Sequence, residues 1–562
     1  MPSAPGEKMS HRQVLEALSG LLLGMFVSIL AGTVVSTSLP IIISDLGGSQ
    51  ASFTWVVTAT LLATTVSTPI WGKLADLFNR KLLIQLALLI FVVGSAAAGF
   101  SQGSGTLIAL RVVQGLGAGG LTALSQIIMA DIISPRERGR YMGLFGAIIG
   151  VGTVGGPLLG GLITDSIGWR WNFFVGVPLA AVAILLLQKT LHLPKRPANK
   201  VVIDYLGAAL LAAGVSLLLV WVSLAGQHYD WVSGTSALMV GGSLVLVVAL
   251  VVVELHVAEP IIPLSLFKNR TFTLAVVASI SVGVAMFGTS VFLSQYMQLA
   301  RGKTPTISGL MTLPMIGGLL ISSAVVGQVI SRTGTWKRFV VAGSVLLTVG
   351  MLLMSTIAYD TNFVLVSVYM FILGSGVGMV MQNLVLVVQN AVRPTELGVA
   401  SSGVAFFRSL GGTIGVSAMG AVLGAKVANL MVARAGDLQA ALSTLGAPGI
   451  ALAKALQSGT IPQVRDLPIG VRTIIESIYG QSVAEIFLVA APLALITVIA
   501  VSLLPNLALS SQTTQERMRE ETGDGARAGA ADVAAAETFT HDAALAVVAS
   551  NPVAGQERAS KP

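Results

Sequence analysis

The feature that most constrains this chain is a succession of long apolar runs. A helix needs about 20 apolar residues to cross the hydrocarbon core of a bilayer. Runs of that length fall at 18–40, 53–71, 82–100, 107–130, 141–163 and 173–190, then at 205–226 and 234–256, then at 272–298, 306–330, 339–359, 363–389, 402–432 and 482–504. They number fourteen, arranged as six, two and six. Backbone polar groups in lipid must be satisfied inside the protein, so such runs form helices. The charge content agrees: 54% of the residues are hydrophobic and 10% are charged, where a soluble domain carries about 25% charged residues. The expected fold class is an all-α polytopic membrane protein. The first run follows Lys8 and Arg12 as in a signal peptide, but it is too long and has too many successors.

The net charge of +8 is explained by topology. With the N-terminus in the cytoplasm, the loops after even-numbered spans carry Lys73, Arg80 and Lys81; Arg136, Arg138 and Arg140; Lys195, Arg196 and Lys200; Lys268 and Arg270; Lys337 and Arg338; and Arg393. The short loops on the other side offer Arg170, Arg301 and Lys303. This bias places both termini in the cytoplasm. No basic stripe lies outside the short loops, so a nucleic-acid partner is not expected. The chain has no cysteine, which excludes disulfides and thiolate chemistry. His11, His192, His228, His256 and His541 are scattered without metal spacing, and no metal site or enzymatic activity is expected.

One loop stands out. Gly72-Lys73-Leu74-Ala75-Asp76-Leu77-Phe78-Asn79-Arg80-Lys81 packs four charges between two apolar runs. A weaker copy, Gly327 to Arg338, keeps the glycine and the basic cluster with Arg332, Lys337 and Arg338. One copy follows the second span and the other the tenth, whereas a plain six-helix duplication would put it after the eighth. Two related halves with two inserted helices follow from this spacing. The expected organisation is a cytoplasmic N-terminus at 1–17, a six-helix bundle at 18–200, two inserted helices at 201–260 and a second six-helix bundle at 261–507. That second bundle carries an external loop at 433–481. Residues 508–562 are rich in Ala, Glu, Thr and Gly and read as a disordered cytoplasmic tail. No Gly-x-x-x-x-Gly-Lys-Ser/Thr signature is present, so no nucleotide-driven step is expected of this chain.

Further motifs lie in the first half. Leu107 to Gly117 places Arg111 inside an apolar span, a costly and usually functional position. Gly152, Gly156 and Gly160 recur every four residues beside Pro157 and line one helix face. Ordinary small-residue packing would explain that face. Together with the charged loop, these motifs resemble the major facilitator superfamily, in its 14-helix branch of drug:proton antiporters of the EmrB/QacA type. The resemblance covers about residues 15–505.

The resemblance implies a gating loop of Gly72, Asp76, Arg80, Lys81 and, in the second copy, Arg332. It implies proton coupling through Arg111 and Asp131, with Asp131 as a partner for Arg80. It makes Gly152, Gly156, Pro157 and Gly160 the glycine-rich helix of an antiporter. Asn79 replaces the usual second glycine of the loop, and Ser331 stands where the second copy often has an acid. Ala31 occupies the position of an acid that the branch usually carries in its first helix. Polar groups in the second half, Gln382, Asn383, Gln389, Asn390 and Arg408, are the candidates for a substrate cavity.

The expected function is proton-coupled export of amphipathic or cationic drug-like compounds by alternating access. The expected partners are a small substrate, protons and the lipid bilayer, with no cofactor beyond the proton gradient. A monomer in a bacterial inner membrane is the expected form. A dedicated cargo such as a lipid, siderophore or self-made antibiotic stays open, as does a non-transporting receptor or scaffold.

Overall fold

A computed structural model describes residues 11–47, 50–191, 204–226, 229–257, 259–303, 305–446, 449–450, 464, 467–512 and 516–518. Among these residues the chain is helical and no named strand occurs. The first half comprises α1 (His11–Asp45), α2 (Gln50–Leu77), α3 (Arg80–Gly99), α4 (Ser104–Ile132) and α5 (Pro135–Ser166). It closes with the short α6 (Trp171–Phe174) and α7 (Gly176–Thr190). A hairpin follows, α8 (Tyr205–Leu224) and α9 (Gly234–His256). The second half runs through α10 (Arg270–Gln295), α11 (Pro305–Met311), α12 (Leu313–Thr333), α13 (Lys337–Met354) and α14 (Phe363–Ala391). It ends with α15 (Leu397–Ala433), α16 (Ala435–Ser443) and α17 (Ile469–Ser502).

Among the described residues, twelve helices are long and apolar enough to cross a membrane. Helices α2 and α5 reach 28 and 32 residues but are not among the twelve. Helix α2 carries many hydroxyl side chains, and α5 opens with Arg136, Glu137, Arg138 and Arg140. The chain is thus a multi-pass membrane protein. Helix α1 begins at His11, inside the stretch expected to precede the bundle, and Arg12 pairs with Glu16 on its first turn. Helix α16 covers part of the 433–481 loop. Pro157's side chain, residues 451–463 and residues 519–562 lie outside the described parts.

Each half has its own apolar core. One is built on residues such as Leu18, Leu88, Leu124 and Phe145, and the other on Phe272, Leu347, Leu373 and Phe487. Helix α4 packs on α2 and α3 and α1 on α5, while α14 packs on α12 and α13 and α10 on α15. The halves meet chiefly through α5 with α12 and α2 with α15, with smaller contacts of α4 on α15 and of α5 on α14 and α11. The inserted hairpin does not drift free: α8 packs on both α2 and α15, so it lies along the seam. Leu211, Val215 and Leu219 of α8 share a buried cluster with Leu62, Val66 and Phe406.

Candidate functional site

The charged loop closes one end of the bundle, the end that carries most of the basic residues. Asn79 adopts an extended conformation (φ −67°) and accepts from Lys81 N, so it caps α3 rather than making the left-handed turn a glycine there would allow. That cap starts α3 at Arg80 and drives its side chain inward, where it is 3% exposed. The Arg80 guanidinium donates to Asp131 at the end of α4, to Asp76 (3.1 Å) and to the Ala75 carbonyl (2.8 Å). One cation thus satisfies two buried carboxylates, and its planar fork suits the task.

Asp76 also reaches across the seam. Its carboxylate accepts from Gly398 N and Val399 N, each at 3.0 Å, in the first turn of α15. The first N–H groups of a helix have no partner inside it and sit at the positive end of its dipole, so a carboxylate is favoured there. Gly72 makes this approach possible. A Cβ on Gly72 would lie 1.9 Å from Ser402 Oγ and 2.9 Å from the Gly398 carbonyl oxygen, and one on Gly398 would lie 2.5 Å from the Gly72 oxygen. Two glycines therefore meet where α2 crosses α15.

A second bond across the seam was not legible in the loop motif. Arg138, 1% exposed at the start of α5, donates to Gln389 of α14 and to the Ile133 carbonyl (3.0 Å). Gln389 in turn donates to Ser401 of α15 (2.8 Å) and to the Gln126 carbonyl of α4 (3.4 Å). Residues 504–510 then run over the same end. Lys337 donates to the Leu504 carbonyl and Trp336 to the Leu507 carbonyl, both at 2.7 Å, while Asn390 binds Ala508 and Ser510. Ser510 finally accepts from Arg136 N of the first half (3.2 Å). Residues 508–512, expected to open a disordered tail, include these ordered contacts. Lys73 pairs with Glu259 beyond the inserted hairpin (2.6 Å).

The remaining candidates are placed as follows. Lys81 is half-buried and donates to the Gln188 carbonyl (2.8 Å). Arg332 is exposed and has no ion pair among the described residues, while Trp336 and Lys337 of the same loop bond residues 507 and 504. Arg111 is buried and donates to Gln114 (2.6 Å). Gly152, Gly156 and Gly160 face α1: Cβ atoms there would strike Ile29, Thr33 and Val34. The glycine face is a contact within the first half, and Thr33 Oγ1 donates to the Gly152 carbonyl across it (3.0 Å). Ala31 is buried in the first half's core.

The cavity set divides. Gln389 and Asn390 are corrected from cavity to closure, because both side chains are spent at the basic end. Asn383 is buried and donates to its own helix at Met379 O. Gln382 is half-buried, and Arg408 is 5% exposed. Neither has a hydrogen-bond partner among the described residues.

Residues 21–416 match the model of the Major Facilitator Superfamily. The multidrug transporter protein MdtP of Bacillus subtilis is 36% identical over 424 residues, 75% of this chain and 77% of that protein. Multidrug resistance protein 3 of the same organism is 34% identical over 72% of this chain and 78% of its own length. An uncharacterized MFS-type transporter of Mycobacterium tuberculosis is 37% identical over 90% of this chain and 71% of its own length. Among solved structures, the proton:xylose symporter XylE superposes with a TM-score of 0.56 over 91% of this chain and 99% of its own, at 12% identity.

Proposed function

This chain belongs to the major facilitator superfamily, and from that premise we propose that it exports amphipathic, drug-like compounds in exchange for protons. Its relatives include multidrug transporters and efflux pumps. The observation that carries the reading is the closure at the basic end. Asp76 on α15 and Arg138 on Gln389 join the two halves there. By the bias of basic residues that end is cytoplasmic, in the inner membrane of a bacterium, with fourteen spans and both termini inside. The described conformation is then the outward-facing state of an alternating-access cycle.

Opening to the cytoplasm requires the Asp76 carboxylate to leave the α15 N-terminus. Arg80 couples that step to Asp131, because one guanidinium holds both acids. A proton taken up by Asp131 removes its charge, leaves Arg80 to Asp76 alone and loosens the α3–α4 corner on which the closure rests. Arg111 supports coupling from deeper in α4. The chain acts as a monomer and uses the proton gradient with no cofactor. The test is dye efflux from energised vesicles holding the full chain, with internal pH recorded. Export that collapses with an uncoupler and with Asp131→Asn supports the reading. Dye movement indifferent to the gradient, or none at all, refutes it.

A further inference from the structure

The charges that join the halves, Asp76, Arg80 and Arg138, are bonded, but one buried cation has no partner among the described residues. Arg408 lies 11 residues into α15, about 17 Å from the helix start at 1.5 Å per residue. In a hydrocarbon core about 30 Å thick that depth is the midplane, too far from either surface for the guanidinium to snorkel. The residue is 5% exposed and has no hydrogen bond or ion pair among the described residues. A lone buried cation is costly, so the position calls for a counter-charge that the protein does not supply.

The faces of the helices say where that counter-charge comes from. Ser401 of α15 accepts from Gln389 of α14 inside the bundle. Arg408 lies seven residues beyond Ser401, and Gln382 lies seven residues before Gln389. Seven residues are two helical turns, so each keeps the face of its bonded relative. The two helices run in opposite directions, which carries both residues about 10 Å inward from the Gln389–Ser401 layer. Gln382, half-buried and unbonded, therefore borders the same interior space as Arg408.

The acids are placed elsewhere. Asp76 and Asp131 are held by Arg80 at the closed end. Glu254 lies in the last turn of α9 and accepts from Ile261 N and Ile262 N. Glu485 is paired with Lys426, roughly 25 Å from the end of α17. The interior at mid-depth thus holds a positive group with no described carboxylate beside it.

We propose that Arg408, with Gln382 at its side, binds an acidic oxygen group on the cargo, so that the exporter prefers amphipathic carboxylates to cations of the same size. A guanidinium takes a carboxylate through two parallel N–H donors, and the Gln382 amide adds a neutral donor. This inference rests on the export reading above and narrows its substrate class. The Gln389–Ser401–Arg138 layer lies two helical turns from the site on the side of the closed end, so on the export reading the cargo leaves by the opposite side.

The experiment uses full-length protein in proteoliposomes under an imposed pH gradient. The probes are pyrenebutyrate, its methyl ester and pyrenebutyl-trimethylammonium, which share one ring system and differ in charge. Wild type is expected to carry pyrenebutyrate at least ten times faster than the trimethylammonium compound. Arg408→Gln is expected to lower the ratio of carboxylate to ester transport by roughly 30-fold or more, the range for removing one partner of a buried charge pair. Arg408→Lys keeps the charge without the fork and should fall between the two. If Arg408→Gln does not fold, Arg408→Lys and Gln382→Leu carry the same test. Thermal stabilisation by pyrenebutyrate, present in wild type and weakened in either variant, is the binding readout. A ratio unchanged in the variants, or a wild type that prefers the trimethylammonium compound, overturns the inference and leaves the export reading standing. A wild type that moves none of the three overturns the export reading on which it rests.

Discussion

Asp76→Asn removes a charge and keeps the shape of the side chain, so it isolates what the carboxylate does at the seam. Asp76 accepts from Gly398 N and Val399 N at 3.0 Å and from Arg80 at 3.1 Å. A hydrogen bond to a charged group contributes about 1.5–3 kcal/mol and a neutral one about 0.5–1.5 kcal/mol. The charge at a helix N-terminus adds about 0.3–1 kcal/mol. Asparagine keeps one acceptor oxygen and turns an NH2 group toward a second donor. The bonds to α15 should therefore weaken by about 2–4 kcal/mol in all, which lowers the ratio of closed to open molecules roughly 30- to 700-fold. The chain has no cysteine, so spin labels can be placed cleanly at Glu137→Cys and Arg393→Cys, both exposed at the closed end on opposite halves. Double electron–electron resonance should show a single short distance in the parent and a second, longer population in Asp76→Asn. An unchanged distance distribution with folded protein would refute the assignment of Asp76 to the closure.

Three further predictions follow from the same geometry. Gly72→Val should block closure more severely than it harms folding, because its side chain would meet Ser402 and the Gly398 carbonyl only when the halves are together; the same spin-label pair should report a permanently open end. Arg80→Gln should lower thermal stability in detergent by more than Asp131→Asn. The first takes the guanidinium from Asp76 and leaves Asp131 buried without its ion-pair partner, a loss of about 3–5 kcal/mol, while the second leaves Arg80 bonded to Asp76 and Ala75. Lys73→Gln should change stability by less than about 1 kcal/mol, since Glu259 across from it is 46% exposed; a larger loss would mean that the inserted hairpin is anchored through this pair.

The closing loop was legible because its chemistry is local. A glycine ending one apolar run, an acid four residues on and a basic pair opening the next run can be read in order, and Asp76, Arg80 and Asp131 lie together as that reading expects. Arg138 was legible only as one more basic loop residue. Its sequence neighbours give no sign that it is buried against Gln389, 251 positions away. Gln389 and Asn390 were misassigned for the matching reason. A polar residue on an apolar helix faces something polar, but periodicity does not say whether that is a cavity or the other half of the protein. The glycine face of α5 shows the same limit: spacing gives the stripe, and only packing shows that α1 covers it.

By itself the sequence determined that this chain is a bundle of membrane helices, where its loops turn and which short segments carry charge. Those properties depend on apolar length and residue type along the chain, and lipid enforces them without regard to partners. The tertiary structure alone decided which polar groups are spent on one another. Arg80, Arg138 and Arg408 are each a cation near or within an apolar span. The first meets two acids, the second an amide of the opposite half, and the third no partner among the described residues. The difference arises from how helices far apart in sequence are brought side by side, and a charge in low dielectric takes its meaning from the groups within a few ångströms of it.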